Sequence, residues 1–295
     1  MQRVLAPVEK AELVVIEHGG MYHGGAPLEL GEDRPTEQEI MRQIVASETD
    51  AFGQYPNAEK YMETFLHGGF LAALVSGIES GDVKVQAKGG LMIGGMGSLA
   101  LATYEKALPP GVGHHEGYFT DPRFRGKQLQ RRLIEAIEQS ANLPNAAPRA
   151  DEVREFTVAV QPTGDLASIR NFMRTGFVGV AFDENYLAPP LDAEGFEPHC
   201  MIGLKVHHSR TGVMAEGRTW VDYNPRECQD KTQLFTAIHE RLADGMVCTW
   251  ADRLENANER DIDGSVRLSF VPVSSLHEEQ RAIVRRVQPQ ILERM

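Results

Sequence analysis

Cysteine is scarce: Cys200, Cys228 and Cys248 are the only three among 295 residues, odd in number and far apart. No CxxC and no Cys/His spacing of the zinc-binding kind occurs, so neither a disulfide framework nor a structural zinc site underlies the fold. A chain of this length buries a core without such staples. Long apolar runs are missing too. None approaches the roughly 20 residues that a membrane span needs, and MQRVLAPVEKAE is charged within its first ten residues. The expectation is a cytoplasmic protein, neither secreted nor inserted in a membrane. Positive charge is in short supply, with 30 Lys and Arg against 42 Asp and Glu and a net charge of -12. That balance argues against nucleic acid as a partner and mildly favours a cationic small molecule.

Several catalytic signatures are absent as well. No GxSxG supports a serine hydrolase. GGLMIGGMG does not open a helix and reads as buried strand rather than a phosphate loop. Glu17, His18 and His23 in EHGGMYHGG, and the pairs His114/His115 and His207/His208, lack the spacing that would fix ligands on one element, so no metal site is expected. No internal repeat is apparent in the sequence.

What is present is an alternation of helical and strand patterns. ELVVIEH (12–18) reads as a strand followed by a Gly-rich loop. PTEQEIMRQIVASE begins with Pro35 in a first helical turn and puts Ile40, Ile44 and Val45 on one face. A second helix is expected over Ala58 to Leu66. GGFLAALVSGI and GGLMIGGMGSLALATYEKA suit adjacent buried strands. HHEGYFTD is a fourth strand; its alternation predicts His114, Glu116, Tyr118 and Thr120 on one face, with His115 and Phe119 on the other. The helix after it buries Leu129, Leu133, Ala136, Ile137 and Ala141, with Arg131, Arg132, Glu135 and Glu138 facing away. EFTVAVQP is a fifth strand, GDLASIRNFMRTGF a helix ending at Gly176, FVGVAF a sixth strand, and HCMIGLKV closes the series. Beyond it TWVDY and RLSFVPV read as strands, KTQLFTAIHERLADG as a helix, and the last helix is capped by Ser274 or Ser275. The sum is an α/β (α+β) layer domain over residues 1–206, with a C-terminal α/β extension over 207–295 whose role is open.

The chemistry concentrates in FTDPRFRGKQLQRRLIEA (119–136): a strand end, a basic turn and an amphipathic helix. A helix N-terminus carries unpaired N–H groups and about half a positive charge, and a glycine lets the backbone approach an anion closely. Arg123, Arg125 and Lys127 add cations suited to a pyrophosphate. The alternative is a basic helix start on a solvated surface.

DPRFRGK, the helix LQRRLIEAIEQSA, a further strand and then SIRNFMRTGFVGVAF together resemble the GNAT-type acyl-CoA N-acyltransferase superfamily over about residues 10–206. Thr120 to Lys127 follow that family's V-x-P-x-Y-R-G-K-G-x-G string closely. Asp165, Ser168, Phe172, Gly176 and Phe177 follow its N-x-x-A-x-x-x-Y-x-x-x-G-F string loosely. The resemblance implies a mixed central sheet, splayed between the fourth and fifth strands and flanked by helices. It implies acetyl-CoA or another acyl-CoA as co-substrate, held by Phe119, Thr120, Arg125, Gly126, Lys127, Gln128, Leu129, Gln130, Asp165, Ser168 and Phe172. The thioester carbonyl would be polarised by an N–H near Phe119 or Thr120.

Three departures accompany it. Gln128 and Gln130 stand where the family has Gly or Ala, and a glutamine amide can itself donate to a phosphate oxygen. That change also admits a phosphopantetheine on an acyl carrier protein as donor. Phe172 stands where many relatives place a tyrosine acid, a role that Tyr186 or Tyr118 could take over. For the base, Glu116 is the first choice and His114 the second. The expected activity is N-acyl transfer, foremost N-acetyl transfer, to a primary amine of a small metabolite. The alternatives are altered chemistry (O-acyl transfer, decarboxylation) or a non-catalytic CoA sensor, and a homodimer is possible.

Overall fold

The computed structural model describes residues 11–17, 20–23, 26–27, 35–52, 69–93, 112–140, 156–162, 166–183, 200–206, 217–223, 231–253 and 266–292. The chain divides into two compact units, Met1–Met92 with Gly117–Asp151, and Ile93–Glu116 with Glu152–Met295. The architecture is the mixed α/β one expected. The helix expected over Ala58 to Leu66 lies outside the described residues.

The first unit is built on antiparallel strands β1 (Glu12–Glu17), β2 (Gly20–His23), β3 (Ala26–Pro27), β4 (Gly69–Ser76) and β5 (Lys84–Ile93), ordered β5-β4-β1-β2-β3. The Gly-rich segment after β1 thus contains two short strands rather than loop alone. His23 Nε2 meets Glu12 Oε2 at 2.6 Å there, which occupies one of the histidines considered as a metal ligand. Every residue of β4 is buried. Strands buried on both faces read as continuous apolar runs rather than as an alternation.

Helix α1 (Pro35–Phe52) lays Ile40 and Ile44, both fully buried, onto Val14, Ile16, Leu71, Ala73 and Val85. Its Gln43 clasps the start of β5: Nε2 donates to the Val83 carbonyl and Oε1 accepts from the Val85 N–H, each at 2.8 Å. One residue on, the β4–β5 ladder slips, pairing Leu74 with Ala87 but Val75 with Val85. Gln86 is the residue left over, a β-bulge. Its carbonyl, turned out of that ladder, accepts from the Asp121 N–H at 3.0 Å. Helix α2 (Leu129–Ser140) packs on β4 and buries Leu129, Leu133, Ile134 and Ile137. Glu138, expected to face away, is instead buried at 8% exposure.

Strand β6 (Val112–Thr120) passes from the second unit into the first at Gly117. Gly117 takes φ +66°, which breaks the extended backbone that the expected alternation requires. His114 and His115, expected on opposite faces, are both buried at 2% exposure. In the second unit β6 runs parallel to β7 (Phe156–Pro162) from Val112↔Phe156 to His115↔Ala159, where the ladder stops. Strand β7 continues to Pro162, paired on its other side with β9 (Cys200–Val206).

The rest of the second unit is a repeat that the sequence conceals. Strand β7, helix α3 (Leu166–Arg174), strand β8 (Val178–Asp183) and β9 are followed by β10 (Thr219–Tyr223), α4 (Lys231–Ala243), β11 (Met246–Arg253) and β12 (Val266–Pro272). The strands are ordered β7-β9-β8 and, mirrored, β11-β12-β10. Cys248 of β11 pairs with Gly179 of β8 and joins the two halves. Each helix closes alike: Gly176 and Gly245 take φ +102° and +72°, and their N–H groups reach the carbonyls of Met173 and Leu242. Each ladder then slips at the same point, between Gly179 and Ala181 and between Cys248 and Trp250. Equivalent residues facing each other across an antiparallel bridge are the mark of isologous pairing, here within one chain.

Ile169, Met173, Ile238, Leu242, Leu268 and Phe270 share the core under the two helices. Helix α5 (Glu278–Leu292) covers the opposite face, and Gln288 Nε2 reaches carbonyls of both halves, Val180 at 3.0 Å and Met246 at 2.9 Å. The described residues of β10–β12, α4 and α5 therefore share one compact core with β7–β9. Neither Ser274 nor Ser275 caps α5. Val273–Ser275 form a single 3-10 turn, and the His277 carbonyl accepts the first helical bond, from Arg281 N–H at 2.8 Å.

Candidate functional site

The turn between β6 and α2 is held from below and open above. Its start is tied to the Gln86 bulge through Asp121. The Asp121 carboxylate caps the 3-10 turn Pro122–Phe124 by accepting the Arg123 N–H at 2.8 Å, and it also takes the Arg123 guanidinium, Nη2 to Oδ2 at 2.6 Å. Those hydrogen bonds hold its pKa below the usual carboxylate value. The guanidinium of Arg123 and the ammonium of Lys127 lie 5.8 and 4.9 Å from the Phe124 ring centroid. Two of the three cations are thereby drawn to one aromatic platform.

Gly126 then takes φ +81°, with nothing within 4 Å of where a Cβ would stand. Gln128 takes φ +57° and is the one non-glycine among the described residues in the left-handed region. Its carbonyl accepts from Arg132 N–H at 3.1 Å, so Gln128 is the N-cap of α2. Arg125, Gly126, Lys127 and Gln128 are exposed, Gln130 is half-buried and Leu129 is buried as an anchor. Among the described residues, no backbone carbonyl accepts from the N–H groups of Gly126, Lys127, Gln128 or Leu129. Such a row of amides at a helix start, beside three cations, can bind an anion.

Phe119 and Thr120, half-buried, lead into this turn within the same unit. Tyr118 beside them lies against Gly89, where a Cβ would clash with the tyrosine ring. Burial, and then the Glu138 charge, push the Tyr118 phenol well above its ordinary pKa, so it stays protonated at neutral pH.

The other expected site residues belong to the second unit. His114 is buried on β6, and Glu116 is on the same strand with its side chain outside the described set. Ser168 and Phe172 are buried on α3. Asp165 and Tyr186 lie outside the described residues. Phe172 forms an edge-to-face trio with Phe177, at 5.0 Å between centroids, and His115, at 5.7 Å. His115 was not among the expected site residues. Its position on the last β6–β7 rung shows only once the strand pairing is known.

No protein-family model matches the chain, and no curated protein matches it. Solved structures do. The chain is similar to an IAA acetyltransferase from Bacillus cereus at 8% identity, over 66% of this chain and 99% of that one, with a TM-score of 0.39. It is similar to a GNAT family acetyltransferase from Elizabethkingia anophelis with acetyl-CoA bound, at 8% identity over 66% and 98% of the two chains, TM-score 0.39. It is also similar to a Bacillus subtilis acetyltransferase in complex with CoA, at 11% identity over 67% and 99%, TM-score 0.40.

Proposed function

We propose that the chain is an acyltransferase of the GNAT type that takes an acyl group, foremost acetyl, from acyl-CoA and delivers it to the primary amine of a small metabolite. One observation carries this reading: the exposed turn Arg125–Gln128, with Gly126 open above its Cβ position and a row of backbone N–H groups left for an outside acceptor. The glutamine substitutions at 128 and 130 are compatible with it, because Gln128 adopts the left-handed backbone that a glycine would supply and is exposed.

In this reading the diphosphate of CoA is held by the amides from Gly126 to Leu129 and by Arg125. The thioester carbonyl is polarised by a backbone donor near Phe119 or Thr120. Glu116 takes the proton from the incoming ammonium, with His114 in reserve. The amine then adds to the carbonyl carbon, the C–S bond breaks, and CoA leaves as thiolate. Phe172 has no proton to offer, and burial makes the Tyr118 phenol a weaker acid than usual, so the thiolate leaves unaided or with a proton from Tyr186. The second amine proton leaves the nitrogen as the C–S bond breaks and passes to solvent or the departing thiolate; a thiol of ordinary pKa leaves well enough for this. The acidic net charge supports a cationic acceptor.

Isothermal titration with CoA tests the carrying observation. Measurable binding that is lost in Gly126→Trp is expected; unchanged affinity in that variant removes the turn as the donor site. Incubation with acetyl-CoA and a panel of primary amines, read by mass, tests the reaction.

A further inference from the structure

The two halves of the second unit differ in one respect that bears on partners. In the first half the outer strand β7 is covered by β6, parallel, over Phe156–Ala159. In the second half the outer strand β10 ends the sheet, and no strand pairs with its far side among the described residues. We propose that this edge is an interaction surface that receives an extended segment of another polypeptide, running parallel to β10 as β6 runs along β7 and carrying an acidic side chain where β6 carries His115.

The register assigns the positions. Ala159 pairs with Gly203, which pairs with Gly179; Thr219 pairs with Phe270, which pairs with Cys248. Thr219 is therefore the counterpart of Ala159, the residue opposite His115. Counting four residues back and one forward from Gly176 and Gly245, the rings that receive His115, Phe172 and Phe177, correspond to Arg241 and Met246. Thr219 Oγ1 lies 3.7 Å from Met246 Sδ, which brings these two counterparts together in the second half.

Arg241 supplies the chemistry. Its Nε is buried and has no hydrogen-bond partner, in a half-buried side chain. A buried N–H left without an acceptor is costly and calls for one. An imidazole fits between two phenyl rings; where Arg241 stands in place of Phe172, a guanidinium would select a carboxylate instead. Arg218, exposed one residue before β10, adds a second cation at the same end. Trp220, 52% exposed on the edge strand itself, adds an apolar surface that an incoming strand would cover. Main-chain bonds to the edge would supply affinity, and the Arg241 guanidinium the choice of side chain.

The probe is a synthetic peptide copying residues 112–120 with the change His115→Glu, compared with the same peptide carrying His115→Lys. In amide-resolved NMR titrations of the full chain, the Glu peptide should shift residues 217–221 and bind about tenfold tighter than the Lys peptide, as charge complementarity requires. Arg241→Gln should abolish that preference while the thermal melt stays cooperative. No shift at 217–221 with millimolar peptide, or equal affinity for the two peptides on the unaltered chain, would overturn the proposal. So would concentration-dependent sedimentation with broadening of the same amides in the absence of peptide, because the edge would then belong to a second copy. The readouts are independent of CoA binding, so failure here leaves the acyltransferase reading standing.

Discussion

Gly179 and Cys248 face each other across the bridge that joins β8 to β11, and there is no room between them for a methyl group. A Cβ on Gly179 would stand 2.6 Å from Met201 Sδ and 3.0 Å from the Cys248 Cβ. Met201 is fully buried and cannot swing aside cheaply. Gly179→Ala is therefore expected to cost roughly 1–3 kcal/mol by chemical denaturation, the range for an overpacked core. Adding Cys248→Ala should leave that loss in place, because alanine keeps the Cβ at 248 and the closer clash is with Met201. A variant as stable as the parent would show that the two halves are joined less tightly than the bridge implies.

How far the sequence carried differs between the two units and turns on named residues. The basic turn was legible because Arg123, Arg125, Gly126 and Lys127 are contiguous, and local chemistry needs no knowledge of the fold. The bulge at Gln86 that anchors it was not, since a bulge is a relation between two strands and Gln86 looks like any other residue of VKVQAKGG. Strand β11 was missed because MVCTWADR follows the helix with only Gly245 as a break and is itself slipped after Cys248, which blurs its alternation. The repeat was missed for a related reason. Its halves share glycine positions, helix ends and slips, but pair Gly179 with Cys248 and Phe172 with Arg241, so backbone geometry persists where side-chain identity does not. Glu138 was misplaced because a carboxylate at the edge of a helix's apolar stripe reads as solvated, and its proximity to Tyr118 appears only once β6 and α2 are packed.

Gln128 and Gln130 invite the same substitution with opposite results. Gln128 sits at φ +57°, where an L side chain costs roughly 1–2 kcal/mol that glycine avoids. It is exposed, so little packing is lost on truncation. Gln128→Gly should therefore raise stability by about 1 kcal/mol. Gln130 lies inside α2, where glycine costs roughly 0.5–1 kcal/mol through backbone entropy, so Gln130→Gly should lower it. Thermal melts of both variants decide the point, and equal signs would contradict the left-handed assignment at 128.

The Asp121–Arg123 pair makes the turn sensitive to acid in a definite direction. Hydrogen bonds from Arg123, followed by charge from Arg123 and Arg125, depress the Asp121 pKa in the folded chain. A group whose folded pKa is lowered contributes stability that is fully present above its unfolded pKa and lost as pH falls through the folded one. The Asp121 side chain is 14% exposed but that of Arg123 is 72%, so screening holds the contribution to about 1 kcal/mol or less. Asp121→Asn keeps an oxygen for the Arg123 N–H but removes the charge. The variant should be less stable than the parent at pH 7, by a margin that added salt reduces. The two denaturation curves should converge as the pH drops below the ordinary carboxylate range, where the parent's Asp121 also becomes neutral. A gap that stays constant down to pH 2 would mean that the carboxylate acts through cap geometry alone and that its charge contributes nothing to holding the turn.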